Sequence, residues 1–449
     1  MSIRQSIRQL AIVVLLLTLP GCSKYSFYDL APAPNLYVHH GQNPYPAVPE
    51  SLRTTEAPVI YVTDREPEKL TPAQTAAGYQ TAYGYRRSRS TAFGIINVDL
   101  GPGMTWDQLA ATSTEHDRAK PIRLVCKDTR ELGRFPPTPD GIVIEDGMAK
   151  LRDGISKERL QAENQFRALM AERLAQASTH DAYIFIHGYN SEFEWPAYVI
   201  AQMWHYMGRP GVPIAYSWPA GSPGLLRGYQ YDRESGEFTI FHLKRFLLLL
   251  GSVPGLERVC IVAHSRGTDV ATSALRELTL ELGGWQEARR ALKLSILVLA
   301  AADLDFEVVN QRLVAEEFLL VPDRTVFYVH KEDEALGLAD WMFASNARMG
   351  QLGPDAVKPE GKIVLHQAKR LEIVDARIST PEMFSHSYFY AHPAACSDLI
   401  LVLRDGRAAG AENGRPLKRD PSGFWILDNQ YPETTPAGSS PAPQAPDGQ

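Results

Sequence analysis

The sequence predicts an α/β layer sandwich, a mostly parallel central sheet with helices on both faces. Two observations carry that reading. Continuous apolar runs of strand length recur along the chain, and stretches of helical periodicity separate them. Runs without polar alternation suit strands covered on both faces, and repeated β–α alternation implies right-handed crossovers. With 449 residues, 44% of them hydrophobic and 22% charged, the chain can bury a core of that kind.

Taken in order, residues 59–63 and 94–98 are strand candidates, rich in valine and isoleucine. The region 105–150 is loop-rich and gives no clear assignment. Phe166, Leu169, Met170 and Leu174 fall at helical spacing and form one apolar face. Apolar runs then follow at 182–186, 214–216, 259–263, 294–301 and 326–329, with a last candidate at 371–374. Helical patterns lie at 194–207, 238–250, 268–282 and 334–347. In such sheets ligands and catalytic groups gather beyond the carboxyl ends of the strands, so the residues just after each run are the ones to inspect.

The ends of the chain read differently. Arg4 and Arg8 precede an unbroken apolar stretch at 10–17, and Leu19-Pro20-Gly21-Cys22 closes it. This pattern is a secretory signal over 1–21, with about half the ~20 apolar residues that a membrane-spanning helix needs. Gly21 before Cys22 resembles a bacterial lipobox, in which Cys22 is lipidated on sulfur and becomes the new N-terminus; the alternative is an ordinary signal cleaved near a chance cysteine. Removal of the signal takes two arginines and no acid from a net −6, leaving −8. Ser23 and Lys24 follow Cys22 with no Asp beside it. In the Gram-negative lipoproteins this resembles, that favours the periplasmic face of the outer membrane. Residues 22–56, with Pro32, Pro34, Pro44, Pro46 and Pro49, read as an extended tether. The folded domain is expected at 57–431, and 432–449, rich in Pro, Ala, Ser and Gly, as a disordered tail.

Composition excludes several classes. Lys+Arg 46 against Asp+Glu 52 argues against nucleic-acid binding. Four cysteines are too few for a disulfide scaffold. No C-x-x-C or H-E-x-x-H spacing suggests a metal site, and no cofactor is implied. Of the cysteines left after lipidation, Cys260 lies in a core strand, and a Cys126–Cys396 bridge stays open.

The chemistry centres on Ser265. Val259-Cys260-Ile261-Val262 runs into Ala263-His264-Ser265-Arg266-Gly267 with a helix directly after. Strand, sharp turn and helix is the nucleophile-elbow arrangement, with the serine at its apex. The turn demands small neighbours; Gly267 fits, and Ala263 adds one methyl where glycine is usual. A serine that merely caps the helix is the competing reading, and the crowding of small residues weighs against it. Acyl transfer needs donors aimed at the developing oxyanion. The Arg266 N–H can supply one. Tyr189, after the strand 183–186 and His187-Gly188, supplies the other.

Chain order in this arrangement is nucleophile, acid, base. His386 lies in a loop after the last strand candidate. His366 falls in or just before that strand, and His392, beside Pro393, opens the final helix instead. Asp333 follows the run at 326–329, and Asp303, with Asp305, follows the run at 294–301. Asp333 is favoured, Asp303 is the alternative acid, and at least one of the three aspartates caps a helix. Beside them, Arg266 either attracts an anionic substrate or pairs with a nearby carboxylate. Residues 222–237, with Tyr229, Tyr231 and Asp232, form either a lid or a surface connection.

The segments VIYVTDR (59–65), FIHGYNSEFE (185–194), YSWPAGS (216–222), AHSRGTDV (263–270), LAAADLD (299–305), EDEAL (332–336) and FSHSYF (384–389) together resemble a bacterial α/β-hydrolase family of unknown function within the esterase/lipase superfamily. The resemblance spans roughly 59–403. It implies the α/β-hydrolase fold and a triad of Ser265, Asp333 and His386, but no substrate. Arg266 stands where an uncharged residue is common. The first functional reading is therefore a lipid-anchored serine hydrolase acting on a small-molecule or lipid ester. The alternatives are an amidase or thioesterase with the same triad, and a non-catalytic envelope lipoprotein that binds a partner.

Overall fold

The structure is a computed structural model that describes residues 28–115, 118–139, 142–152, 154–309, 311, 315–331, 333, 349–353, 369–380 and 385–433. The signal, Cys22, the expected helix at 334–347, His366 and residues 434–449 lie outside them.

Its elements run β1 (Glu56–Glu68), β2 (Ala82–Asp99), α1 (Trp106–Thr112), β3 (Val125–Arg134), β4 (Ile142–Glu145), β5 (Met148–Leu151), α2 (Ile155–Gln176), β6 (Asp181–Ile186), α3 (Trp195–Tyr206) and β7 (Val212–Ser217). They continue as α4 (Leu225–Gly251), β8 (Arg258–His264), α5 (Gly267–Glu281), α6 (Trp285–Leu292), β9 (Leu294–Ala300), β10 (Arg324–Val329), β11 (Leu371–Arg377), α7 (Pro393–Leu403), β12 (Lys418–Arg419) and β13 (Trp425–Asp428). The main sheet is 11-stranded, in the order β12-β13-β11-β10-β9-β8-β6-β7-β1-β2-β3. From β1 through β7, β6, β8, β9, β10 and β11 to β13 every pairing is parallel; β2, β3 and β12 add antiparallel edges.

Alternation along the central strands explains both the sheet and its continuous apolar sequence. In β6, Tyr183 and Phe185 face one core while Ile184 and Ile186 face the other; in β8, Cys260 and Val262 oppose Ile261 and Ala263. Both faces are dry, so neither face of these strands carries the polar residues of a half-exposed sheet. The first core lies with α3, α7 and the N-terminal segment; the second lies with α2, α4 and α5. No helix among the described residues is long and apolar enough to cross a membrane.

Two regions depart from expectation. The tether expected over 22–56 is not what 28–56 forms. Leu30, Leu36, Tyr37, Tyr45, Val48 and Leu52 are buried in the first core. Polar contacts hold the segment down: Arg118 Nη1 donates to the carbonyls of Leu30 and Ala31 at 2.8 Å, and Leu36 N–H donates to Ser397 Oγ at 3.0 Å. The prolines set an extended path with tight turns, but the apolar residues between them have a core to enter. Second, the segment 222–237, read as a lid or a surface connection, is helical from Leu225, where α4 begins. Gly228 and Gly236 lower its intrinsic helix propensity, and tertiary contacts override that penalty. Three backbone N–H groups, those of Asn190, Gly221 and Ser222, donate to the Asp232 carboxylate at 2.9–3.4 Å. In the region 105–150, α1, β3 and the hairpin β4–β5 appear where no assignment was possible.

Candidate active site

Ser265 leaves β8 with φ 51°, the left-handed region that a non-glycine residue occupies only under constraint. The constraint is visible. Its N–H donates to Ala300 O at 3.0 Å, and its carbonyl accepts from Thr268 N–H at 3.0 Å and Thr268 Oγ1 at 2.6 Å. The turn lies against the end of β6 with no space to spare. A Cβ at Gly267 would meet His187 O at 2.3 Å and Ile186 O at 2.6 Å, and one at Gly188 would meet the Ser265 Cβ at 2.7 Å. Both glycines are thus fixed by the close approach of two backbones, one carrying Ser265 and the other His187-Gly188-Tyr189. Arg266 is the N-cap of α5, so its N–H sits at the positive end of that helix.

Asp333 and His386 come together. His386 Nδ1 donates to Asp333 Oδ2 at 2.7 Å, with Oδ1 at 3.0 Å. The carboxylate is fully buried and the imidazole is 23% exposed. Burial alone would pull the imidazole down, but the Asp333 charge and hydrogen bond outweigh it, with Asp303 adding to them, so its pKa is raised. Asp303 takes a different place: its Oδ2 accepts from Tyr229 Oη at 3.1 Å, and its N–H meets Ser265 O at 3.4 Å. His392 is the N-cap of α7, its Nδ1 accepting from Ala394 N–H at 3.2 Å. Arg266 pairs with Asp269 at 2.7 Å. Cys126, Cys260 and Cys396 are free and buried, so Cys126 and Cys396 are not bridged.

Three residues take supporting roles that the sequence did not assign to them. His264 Nε2–H donates to the backbone carbonyl of His386 at 2.9 Å, and the two rings lie 4.6 Å apart. Burial, then the neighbouring His386, holds His264 well below the ordinary imidazole value, so it stays neutral with its proton on Nε2. His264 thereby joins the elbow to the His386 loop. Arg65, 1% exposed, donates to Ser217 Oγ and to the carbonyls of Gly84, Ala220 and Ser191. Its Nη2 also lies 3.4 Å from His187 Nε2. Burial lowers the guanidinium to about 10, still charged at neutral pH. His187 in turn stacks on Trp218 at 4.9 Å, donates from Nδ1 to Gly188 O at 2.8 Å, and accepts the Trp218 Nε1–H on its carbonyl at 2.7 Å. The third is Asp232, which closes the same loop from α4. The VTDR and SWPAGS segments were the available signals, since a buried arginine after a strand needs several acceptors.

Chemically, the arrangement offers a hydroxyl on a strained turn, an imidazole oriented by a buried carboxylate, and two backbones held rigidly beside the hydroxyl. A family model described as an alpha/beta hydrolase of unknown function (DUF900) matches residues 162–403. No curated protein matches the chain.

Proposed function

The chain belongs to that alpha/beta-hydrolase family, and on this premise we propose that it is a serine hydrolase cleaving a carboxylic ester through an acyl-enzyme. His386 takes the Ser265 proton as Oγ attacks the carbonyl, and the Tyr189 and Arg266 amides receive the oxyanion. The C–O bond to the leaving alcohol breaks as His386 returns the proton to it. Water then attacks the acyl-enzyme with His386 as base, releasing the acid and restoring Ser265. Asp333 keeps the Nδ1 proton in place and stabilises the imidazolium. The observation that carries the reading is the 2.7 Å His386–Asp333 contact joined, through His264, to a turn that holds Ser265 at φ 51°. The reading extends to lipidation at Cys22, attachment to the envelope and a membrane-borne or small-molecule ester as substrate.

A fluorophosphonate probe tests it: wild type labels, Ser265→Ala does not, and hydrolysis of p-nitrophenyl esters is lost in parallel. Equal labelling of both proteins would remove Ser265 from the mechanism.

A further inference from the structure

We propose a second site, separate from Ser265, that binds a single alkyl chain carrying an anionic head. It is the cavity of about 670 Å³ bounded by α2, α4 and the loop after β3, within the ~300–1,000 Å³ range of small-molecule sites.

Its floor is apolar and aromatic. Phe135, Phe93, Phe166 and Phe246 form a continuous run, successive ring centroids lying 5.9, 5.4 and 5.6 Å apart, with Val62 and Leu249 beside them. Its rim is cationic: Arg89, Arg159, Arg167 and Arg245 line it against the single acid Glu163. Arg167 pairs with Glu163 at 3.1 Å, and Arg245 with Glu281 at 2.6 Å. Arg89 donates instead to two carbonyls, those of Thr138 and Pro139, at 2.9 Å each. Lined in this way, the cavity suits a ligand with an apolar body and a negative end.

One wall is fixed by a buried polar chain that the Ser265 chemistry does not use. Asp64 Oδ2 contacts His242 Nδ1 at 2.8 Å, and His242 Nε2 contacts Thr138 Oγ1 at 2.9 Å. Thr138 is thereby pinned from inside the protein, and a preformed wall lowers the ordering cost of binding. The hairpin β4–β5 begins three residues after Pro139, hence within about 10 Å of the rim. On one face of this ribbon it exposes Ile142 and Ile144, at 55 and 70%. Apolar groups left in water on such a scale mark a contact surface for apolar partners, here an entry lip for the alkyl chain. The site is separate from Ser265: Tyr229, which touches Asp303, and Phe241, the first residue of α4 to line the cavity, lie 12 residues apart, about 18 Å along the helix axis.

The experiment titrates the full chain with laurate, dodecyl phosphate and dodecanol by calorimetry, and maps a diazirine-bearing fatty acid by peptide sequencing. The expected result is binding of both anions more tightly than of the alcohol. Crosslinks should fall within 159–167 or 241–252. In an Arg159→Glu/Arg245→Glu double variant, two exposed charges are reversed. Affinity for the anions should fall about tenfold, with dodecanol unchanged. Laurate and dodecyl phosphate report a free acid and a phosphate headgroup separately, and tight binding of either supports the site. Dodecanol bound as tightly as laurate, crosslinks confined to the Ser265 loops, or no binding of either anion would each overturn it. The mapping uses unmodified protein, so it stands whether or not the double variant folds.

Discussion

Gly267→Ala separates local propensity from the packing of the elbow. Gly267 is the first residue of α5, and alanine is intrinsically the better helix former. Propensity alone therefore predicts a stabilised protein. The packing predicts the reverse: the new Cβ would lie 2.3 Å from His187 O and 2.6 Å from Ile186 O, both backbone atoms at the end of a central strand. To reach even 3.0 Å, the closer contact must open by 0.7 Å. Neither a strand end nor a helix start can rotate away as a side chain would. Overpacking of this kind costs about 1–3 kcal/mol, and a displacement near 1 Å in a reacting group can cost about 100-fold in rate. The variant should thus melt below wild type and lose about two orders of magnitude in kcat/KM on a p-nitrophenyl ester, with KM little altered. Thermal unfolding and steady-state kinetics read the two effects separately. A variant as stable and as active as wild type would refute the close approach of elbow and β6.

Asp333→Asn should leave the fold intact and lower kcat by about 10⁴, the effect of losing the oriented imidazole tautomer. Because the His386 pKa is raised above its ordinary 6.5, wild-type activity should rise with pH through a midpoint above that value. The midpoint should move down in Asp333→Asn, and a pH–rate profile with an unmoved midpoint would break the link between the two residues. The folded state favours protonated His386, so this pair's contribution to stability is present below pH 6.5 and is lost as pH rises through the folded value. Arg65→Met should orphan the buried carbonyls of Ala220 and Ser191 at about 1–3 kcal/mol each, lowering the melting temperature. Arg65→Lys, with fewer donors and no planar fork, should recover only part of the loss.

What the sequence made legible follows from the range of the interactions. β6, β8, β9 and β10 stood out because burial on both faces leaves an unbroken apolar run; Ser265 and Asp333 could be nominated because each lies just beyond such a run, and His386 because it lies in the loop after the last strand. His264, Arg65 and Asp232 could not. Their meaning lies in partners far along the chain: His264 touches a carbonyl 122 residues away, and Arg65 bonds Ser217 Oγ 152 residues away. Segments such as VTDR and SWPAGS mark where these residues lie, but nothing local names their partners. The first half of α4 was hidden for the opposite reason, since its glycines are unfavourable in a helix and only the contacts of Asp232 and Tyr229 explain them. β13, at four residues, is too short to show a period, yet it extends the parallel sheet beside β11.

The docking of the N-terminal segment against the first core shortens the leash. Five residues lie between Cys22 and Tyr28, the first described residue, and the six Cα–Cα steps fully stretched span roughly 20 Å. A lipid on Cys22 would then hold the globule almost in touch with the headgroups, whereas a free stalk through residue 56 would let it roam. At that clearance an anchored form would have the leaflet itself as its nearest reservoir, and bulky polymers farther from the bilayer would be hard to reach.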